Sequence, residues 1–301
     1  MKLRKIAGIA AASMLLLTGC ANAGGEREAL TSGVNEEAKA ALPEDIRNAG
    51  VLKVAVDYPY PPFAHEDVDT GEMQGLEVDL AHAIGEKLDI DVQLNKQPFD
   101  TVVASLQSGS NDIIMSGMND TVERQDVLTF TDYLYAGFAI AVPSGNPKGI
   151  EDITDLCGLT IASQKASTTG DVLDSISEQC KEAGKPEIKT HELATVPDAS
   201  TAVQAGNADG FIGDAPIMAF LAETANDGKA FELLEFATAP KGFDPVYTGI
   251  GCLKDDEELA EAVYLAMKAL EEEGVYEKLM DKHGQKDYVV TDGIGQNLAK
   301  E

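Results

Sequence analysis

The side chains of this 301-residue chain that could do chemistry include four cysteines, four histidines and 52 carboxylates. Their spacing excludes most of the chemistry they could do. His65, His82, His191 and His283 are scattered, and no Cys-x-x-Cys or His-x-x-x-His pair exists, so a metal has no ligand framework. There is no Gly-x-Gly-x-x-Gly after a strand, no P-loop and no Gly-x-Ser-x-Gly elbow, and no cofactor is expected. With so many acids, carboxylate pairs arise by chance, and Glu271–Glu273 reads as a solvated helix end. Only 23 bases oppose those acids, and the net charge is −29. No basic surface can neutralise phosphates, which excludes nucleic-acid binding and argues against an anionic membrane surface. The candidates that ordered motifs, taken up below, single out are Asp57 with the proline-stiffened turn Tyr58–Phe63, Arg124, and Asp214 ahead of Ala215 and Pro216. A guanidinium is always charged, and its planar fork matches a carboxylate. Plainer roles exist for each: a surface Arg, core aromatics at Tyr60 and Phe99, and a helix N-cap at Asp214.

The elements that must position these residues alternate. Val51–Val56 is a β-branched strand. Leu76, Leu80, Ile84 and Leu88 recur every four residues on one helical face. Val92 and Leu94 alternate as a strand, Val102, Val103 and Leu106 make a short helical stripe closed by Ser108-Gly109, and Asp112–Met115 is a buried-type strand. Strand, helix, strand, helix, strand describes an α/β sheet with parallel neighbours. Phe138–Val142 is a further strand, followed by the loop Pro143–Gly149. The pattern then restarts: strand 159–163, a helix marked by Val172, Leu173 and Ile176, strand 188–192, helix 197–205, strand 210–213 and helix 219–225. Gly249–Leu253 is a late strand. A long helix over 256–273 turns Leu259, Val263, Met267 and Leu270 inward, and Tyr276, Leu279 and Met280 continue an amphipathic stretch. The chain thus holds two consecutive α/β units.

Ahead of them, Lys2, Arg4 and Lys5 precede thirteen uncharged residues, Ile6–Thr18. That run is shorter than the roughly 18–20 residues of a bilayer span and has the length of a secretory signal. Its end, Leu17-Thr18-Gly19-Cys20, resembles the lipobox of bacterial lipoproteins. The resemblance implies a signal peptide over 1–19, cleavage before Cys20 and diacylation of its thiol, two chains being enough for stable anchoring. The alternative is an ordinary signal peptide with an incidental Cys. Residues 20–45 read as a flexible, lipidated tether. Export brings an oxidising environment, so Cys157 and Cys180, close together in one segment, are expected to form a disulfide worth roughly 3 kcal/mol. Cys252 reads as a buried free thiol. Three unpaired thiols are the alternative.

Four segments occur in an order that points to one family: Asp57–Phe63 (DYPYPPF), Gly75–Ala81 (GLEVDLA), Met115–Arg124 (MSGMNDTVER) and Phe130–Tyr135 (FTDYLY). Together they resemble the family 3 extracellular solute-binding proteins, amino-acid receptors of ABC importers, over about residues 46–285. The resemblance implies a periplasmic-binding-protein-like bilobed α/β clamshell, two α/β lobes joined by two crossover strands, with lobe 1 over 46–137 and 248–285, lobe 2 over 138–247 and a C-terminal tail over 286–301. It implies that Arg124 grips the ligand α-carboxylate beside Ser116 and the Gly117–Met118 backbone. Asn119 stands where the family usually has Thr or Ser. Tyr60 and Phe99 would sandwich the ligand side chain, and Asp57 would lie near its end. Thr168 or Thr169, in a loop resembling the family's Gly-Thr-Thr-Gly, would meet the carboxylate at a helix start. Asp214 would bind the α-ammonium, so that a zwitterion bridges the lobes and binding becomes closure.

The function implied is the extracytoplasmic substrate-binding component of an amino-acid ABC importer, not an enzyme. It would be a lipid-anchored monomer on the outer face of the cell membrane, whose partners are a polar amino acid and a membrane permease. Two other classes compete: a cyclohexadienyl-dehydratase-like enzyme and a detached ligand sensor on the same fold.

Overall fold

The computed structural model describes residues 30–234 and 241–300, so Cys20 and the leader lie outside the described residues. Two sets of parallel strands are joined by a pair of long antiparallel strands. In the first set, Val51–Asp57 lies between Asp91–Gln97 and Ile113–Ile114, parallel to both. In the second, Thr160–Gln164 lies between Lys189–Leu193 and Gly210–Asp214, again parallel to both. Leu128–Pro143 and Phe243–Leu253 run antiparallel beside one another. The first set attaches at Gly251 and Cys252, and the second at Phe138–Ala141. The fold is a bilobed α/β clamshell with two crossover strands.

The helices follow from parallel pairing, which needs a crossover connection between neighbouring strands. Leu76–Leu88 supplies one in the first lobe. Leu76, Leu80, Ile84 and Leu88 are all fully buried, each contributing about 1.5–3 kcal/mol of transfer free energy. Gly75 starts this helix at φ 138°, and a Cβ there would lie 2.2 Å from the Phe63 carbonyl oxygen, so the helix start and the 58–63 turn are packed backbone to backbone. Thr168–Glu182 and Val196–Gln204 play the same part in the second lobe, and Leu173 and Ile176 face its core as the spacing predicts. Glu257–Glu272 buries Leu259, Val263, Met267 and Leu270. Cys157 and Cys180 form the expected disulfide, with Cα atoms 5.6 Å apart, and Cys252 is a buried free thiol.

Several elements differ from the sequence expectations. The strand expected at Phe138 begins at Leu128, so the Phe130–Tyr135 motif is itself strand. It is buried on both faces, with Thr131 and Asp132 in mid-run, which hides the period of two. The helix expected at 219 starts at Ala215, with Pro216 in its first turn, and Phe231–Leu233 is an additional strand beside Ala141–Pro143. Residues 30–45, expected within the tether, fold onto the first lobe. Glu36–Ala41 and Glu44–Ala49 are helices, Ala38 and Leu42 are buried, and the Leu30 and Thr31 N–H groups donate to Glu86. Buried Lys87 donates to Gly33 O at 2.9 Å and pairs with Glu273 at 2.6 Å. The stretch expected as a tail over 286–301 is also docked, since Gly295 and Gln296 pair with Asp132 and Thr131. Both terminal segments are held by partners far away in sequence, which local composition does not reveal. Among the described residues, no helix is long and apolar enough to cross a membrane, and no group of three or more His, Cys, Asp or Glu could hold a metal.

Candidate ligand-binding cleft

Ligands of open α/β sheets bind beyond the carboxyl ends of the strands, and this is where the expected site residues gather. From the first lobe come Asp57 at the end of Val51–Asp57, the Tyr58–Phe63 turn, Phe99 in the turn Phe99–Thr101, and Met115–Asn119 just after Ile113–Ile114. Arg124 starts the short 3₁₀ turn Arg124–Asp126. From the second lobe come Gln164 at the end of its strand, Thr168 and Thr169 in the first turn of Thr168–Glu182, and Asp214 at the end of Gly210–Asp214.

Direct bonds join the two groups. The Tyr60 hydroxyl donates to Asp214 Oδ2 at 2.6 Å, and Asn119 Nδ2 donates to Asp214 Oδ1 at 3.0 Å. The Thr168 hydroxyl donates to Asn119 Oδ1, and Gln164 Nε2 donates to Asp57 Oδ2 at 2.7 Å. Arg124 donates from Nη1 to Asn119 O at 2.9 Å and from Nη2 to Ala166 O at 3.2 Å, with its guanidinium 5.7 Å from the Phe99 ring centroid. Its other N–H groups have no protein partner among the described residues. Asp214 occupies an N-cap position but makes no capping bond; its carboxylate faces the cleft instead. The Thr168 hydroxyl reaches across the cleft, whereas that of Thr169 pairs locally with Ser167 at 2.6 Å.

Ser116 and Gly117 serve the floor of the site. The Ser116 hydroxyl donates to Ala55 O and accepts from Asp57 N–H. The Gly117 N–H donates to Glu77 Oε1 at 2.8 Å. Gly117 has φ 59°, and a Cβ there would lie 2.5 Å from the Tyr60 ring, so glycine is what lets the ring approach this turn so closely. The Met118 side chain is buried with Phe99 and Val102, and its carbonyl accepts from Gly249 N–H. Glu77 and Gln164 were not expected from sequence. Glu77 is a buried acid in the first turn of an otherwise apolar helix face, a polar residue where the helical period demands a core one. That mismatch is the signal that could have found it.

The electrostatics are unbalanced. Burial pushes Asp57 up to about 7, with the Gln164 amide pulling it back. Its Oδ1 is buried without a partner in hydrogen-bonding geometry, although the Tyr58 and Phe99 N–H groups are near enough to lower the pKa. Burial pushes Glu77 up to about 7 against the bond from the Tyr133 hydroxyl, and its Oε2 is unpartnered. Asp214 is raised by burial and drawn down by Tyr60, Asn119 and Arg124. Burial lowers Arg124, while Asp214 first among the nearby acids raises it. Burial thus holds these carboxyls toward their neutral forms, and a cationic group placed against Asp57 would favour its ionised form. Of the histidines, His65 packs on Phe220 and His283 pairs with Asp79 at 2.7 Å, both outside this set.

A bilobed clamshell with a guanidinium in a turn of one lobe and a carboxylate at a strand end of the other is the architecture of solute-binding proteins. The family model for bacterial extracellular solute-binding proteins, family 3, matches residues 52–286, and the chain belongs to that family. The arginine-binding protein ArgT of Corynebacterium glutamicum is 30% identical over 260 residues, covering 86% of this chain and 82% of that protein. The histidine-binding periplasmic protein of Salmonella typhimurium is 30% identical over 249 residues, covering 81% and 89%. Among solved structures, the ancestral amino-acid-binding protein AncCDT-1, a precursor of cyclohexadienyl dehydratase, is 29% identical with a TM-score of 0.67, covering 80% of this chain and 98% of its own.

Proposed function

We propose that this chain captures an amino acid with a cationic side chain and delivers it to a membrane permease, with no chemical conversion. The observation that carries the reading is Asp57, a buried carboxylate at the cleft floor with one oxygen unpartnered, set among more acids than bases. A cationic side chain would complete its hydrogen bonds and offset its desolvation. Arg124 would hold the α-carboxylate with the hydroxyl and N–H groups at the start of Thr168–Glu182. Asp214 would hold the α-ammonium, which takes the place of a Tyr60 or Asn119 donor. Tyr60 and Phe99 would flank the side chain. The arginine- and histidine-binding relatives support the choice of ligand class. Their being binding proteins, and the lack of a histidine in this cleft, support transport over the dehydratase reading.

The anchor belongs to the same proposal: a signal peptide over 1–19, lipidation at Cys20, and a monomer held outside the membrane. Residues 30–45, docked on the first lobe, are not part of a free tether. The lobe limits proposed are 46–137 with 248–285, and 138–247. Calorimetry against the twenty amino acids tests the ligand class. Arginine, lysine or histidine should bind most tightly, and Asp57→Asn should weaken these far more than glutamine. A neutral or acidic amino acid as the tightest ligand, with a ranking unmoved by Asp57→Asn, overturns the reading. Fractionation of Cys20→Ser tests the anchor, since the variant should leave the membrane fraction.

A further inference from the structure

Behind Arg124, on the side away from the cleft, lies a polar cluster that the ligand site does not use. Asp120 and Asp132 are both buried, at 1% and 0% exposure. Asp120 Oδ1 accepts from Gln125 Nε2 at 2.8 Å, and its Oδ2 accepts from the Ala299 N–H at 3.0 Å. Asp132 Oδ2 accepts from the Leu298 N–H at 2.9 Å, and Asp132 Oδ1 has no donor. Gln125 Nε2 also donates to Ala299 O at 3.2 Å. Asn297 completes the attachment, its N–H donating to Phe130 O and its Oδ1 accepting from Phe130 N–H at 2.8 Å. The segment 294–300 therefore lies as a strap along the crossover strand and grips Asp120 and Gln125. Between those two residues is the turn that carries Arg124, and Asp120 follows Asn119 directly. The strap lies beyond the residues matched by the family model.

We propose that the segment 294–300 is a positioning element for the ligand-binding cleft, fixing from behind the turn that presents Asn119 and Arg124. Among the described residues no hydrogen bond joins the strap to an expected ligand-contacting group, and it acts through Asp120 and Gln125. Its hold also has a protonation requirement. Three N–H donors, from Gln125, Leu298 and Ala299, face four carboxyl oxygens, and the two carboxyls lie against each other. A proton on Asp132 turns its unpartnered oxygen into a donor and removes the repulsion. Burial raises Asp132, and Asp120 raises it further. The other charged or titratable groups facing the pair are Lys300 on the strap, Tyr247 on the second crossover strand and Arg124 on the turn. Once alkaline pH removes the Asp132 proton, two adjacent carboxylates repel, the strap loosens, and the Arg124 turn loses its backing. Gly249 is part of the same fit, because a Cβ there would lie 2.5 Å from Asp132 Oδ1.

The proposal rests on Arg124 and Asn119 being ligand contacts, and the test separates the two ideas. Calorimetry with L-arginine and L-glutamine, at pH 6 and pH 9, is run on the parent, on a chain ending at Gly293, and on Asp132→Asn. Hydrogen exchange of the 119–127 amides is followed in the same proteins without amino acid. The shortened chain should lose at least tenfold in affinity for whichever probe the parent binds, by similar factors if both bind, and its 119–127 amides should exchange faster. Asp57 and the ligand's own α-ammonium also titrate between pH 6 and pH 9, and they do so alike in the parent and in Asp132→Asn. The parent should therefore lose more affinity, or gain less, from pH 6 to pH 9 than Asp132→Asn, whose amide mimics the protonated carboxyl. A folded shortened chain that exchanges and binds like the parent overturns the proposal, as does a pH 6 to pH 9 change of the same size in the parent and in Asp132→Asn. If the shortened chain does not fold, Leu298→Pro with Ala299→Pro removes only the two strap donors and is read in the same way. Faster exchange at 119–127 with unchanged affinity also overturns the proposal, provided Arg124→Ala weakens binding in the same assay; if Arg124→Ala binds like the parent, it is the ligand role given to Arg124 that fails.

Discussion

The two lobes repeat one strand plan but are secured by different means. In the first, polar contacts from both ends of the chain wrap the sheet: residues 30–45 through Glu86, Lys87 and Glu273, and residues 294–300 through Asp120 and Asp132. In the second, the outer layer formed by Thr168–Glu182 is tied by Cys157–Cys180 to the segment entering Thr160–Gln164. Their contributions to the cleft differ in kind as well. The first lobe brings aromatic rings, the guanidinium and the deep acids Asp57 and Glu77. The second brings a strand-end carboxylate, an amide and hydroxyls at a helix start. The lobe to which the proposal gives side-chain selection is the one with the more heavily buttressed floor, whereas the proposed contacts to the α-carboxylate and α-ammonium are split between the two.

The sharpest way to break that division is to remove one charge from each side. Arg124→Ala and Asp214→Ala should each weaken all bound amino acids by similar factors. Losing one partner of a desolvated charge pair costs about 2–5 kcal/mol, or roughly 30- to several-thousand-fold in affinity. Calorimetry against a ligand panel measures the loss, and circular dichroism confirms that the fold is retained. A variant with parent-like affinity would remove that residue from the shared recognition.

The next largest effect should be confined to the second lobe. Cys157→Ser with Cys180→Ser opens a loop spanning 23 positions and should cost about 2–4 kcal/mol of stability. Hydrogen exchange resolved by peptide should rise over 157–214 and stay near the parent value over 51–115. Equal rises in both would show that the lobes unfold as one unit.

Much of this architecture was legible in the sequence because its signals are local. The four-residue spacing of Leu76, Leu80, Ile84 and Leu88 and the inward stripe from Leu259 to Leu270 depend only on helical geometry. The aromatic and charged motif positions Asp57, Tyr60, Phe99, Arg124 and Asp214 all converge on the cleft because each sits at a strand end or in the turn beyond it. What stayed hidden depends on distant partners. Glu77 is explained only by Gly117 and Tyr133, and Gln164 only by Asp57. The docking of residues 30–45 and 294–300 likewise needs Lys87, Glu273 and Asp120 brought near in space. The polar groups of Ser116 and Gly117, read as ligand donors, turn out to hold the floor together.

The floor of the first lobe can be sharpened by pH. Burial pushes Glu77 from 4.5 to about 7, so its contribution is fully present below about pH 4.5. As pH rises from there to 7, the unfolded chain gives up its proton while the folded protein keeps it, so stability falls by an amount on the order of a few kcal/mol. Glu77→Gln is neutral throughout. Thermal melts of the protein without amino acid should show the parent losing more stability than this variant between pH 4.5 and 7.5. Parallel curves would mean that Glu77 takes up and releases its proton in the folded protein as it does in the unfolded chain.

The smallest effect should come from the rim, where Lys165 of the second lobe meets Asp100 of the first at 2.7 Å. The side chains are 60% and 29% exposed, so water screens the pair, and holding two long side chains in one geometry offsets much of the attraction. Lys165→Ala should therefore change amino-acid affinity by no more than a few-fold. Even that difference should vanish in 1 M salt, where the Debye length is about 3 Å. The deep contacts around Asp57 and Asp214 are desolvated and should keep most of their effect at the same salt. Repeating the Asp214→Ala and Lys165→Ala titrations at low and high salt tests this contrast. A rim variant that loses as much affinity as Asp214→Ala, at either salt, would move the energetic centre of closure from the buried floor to the cleft edge.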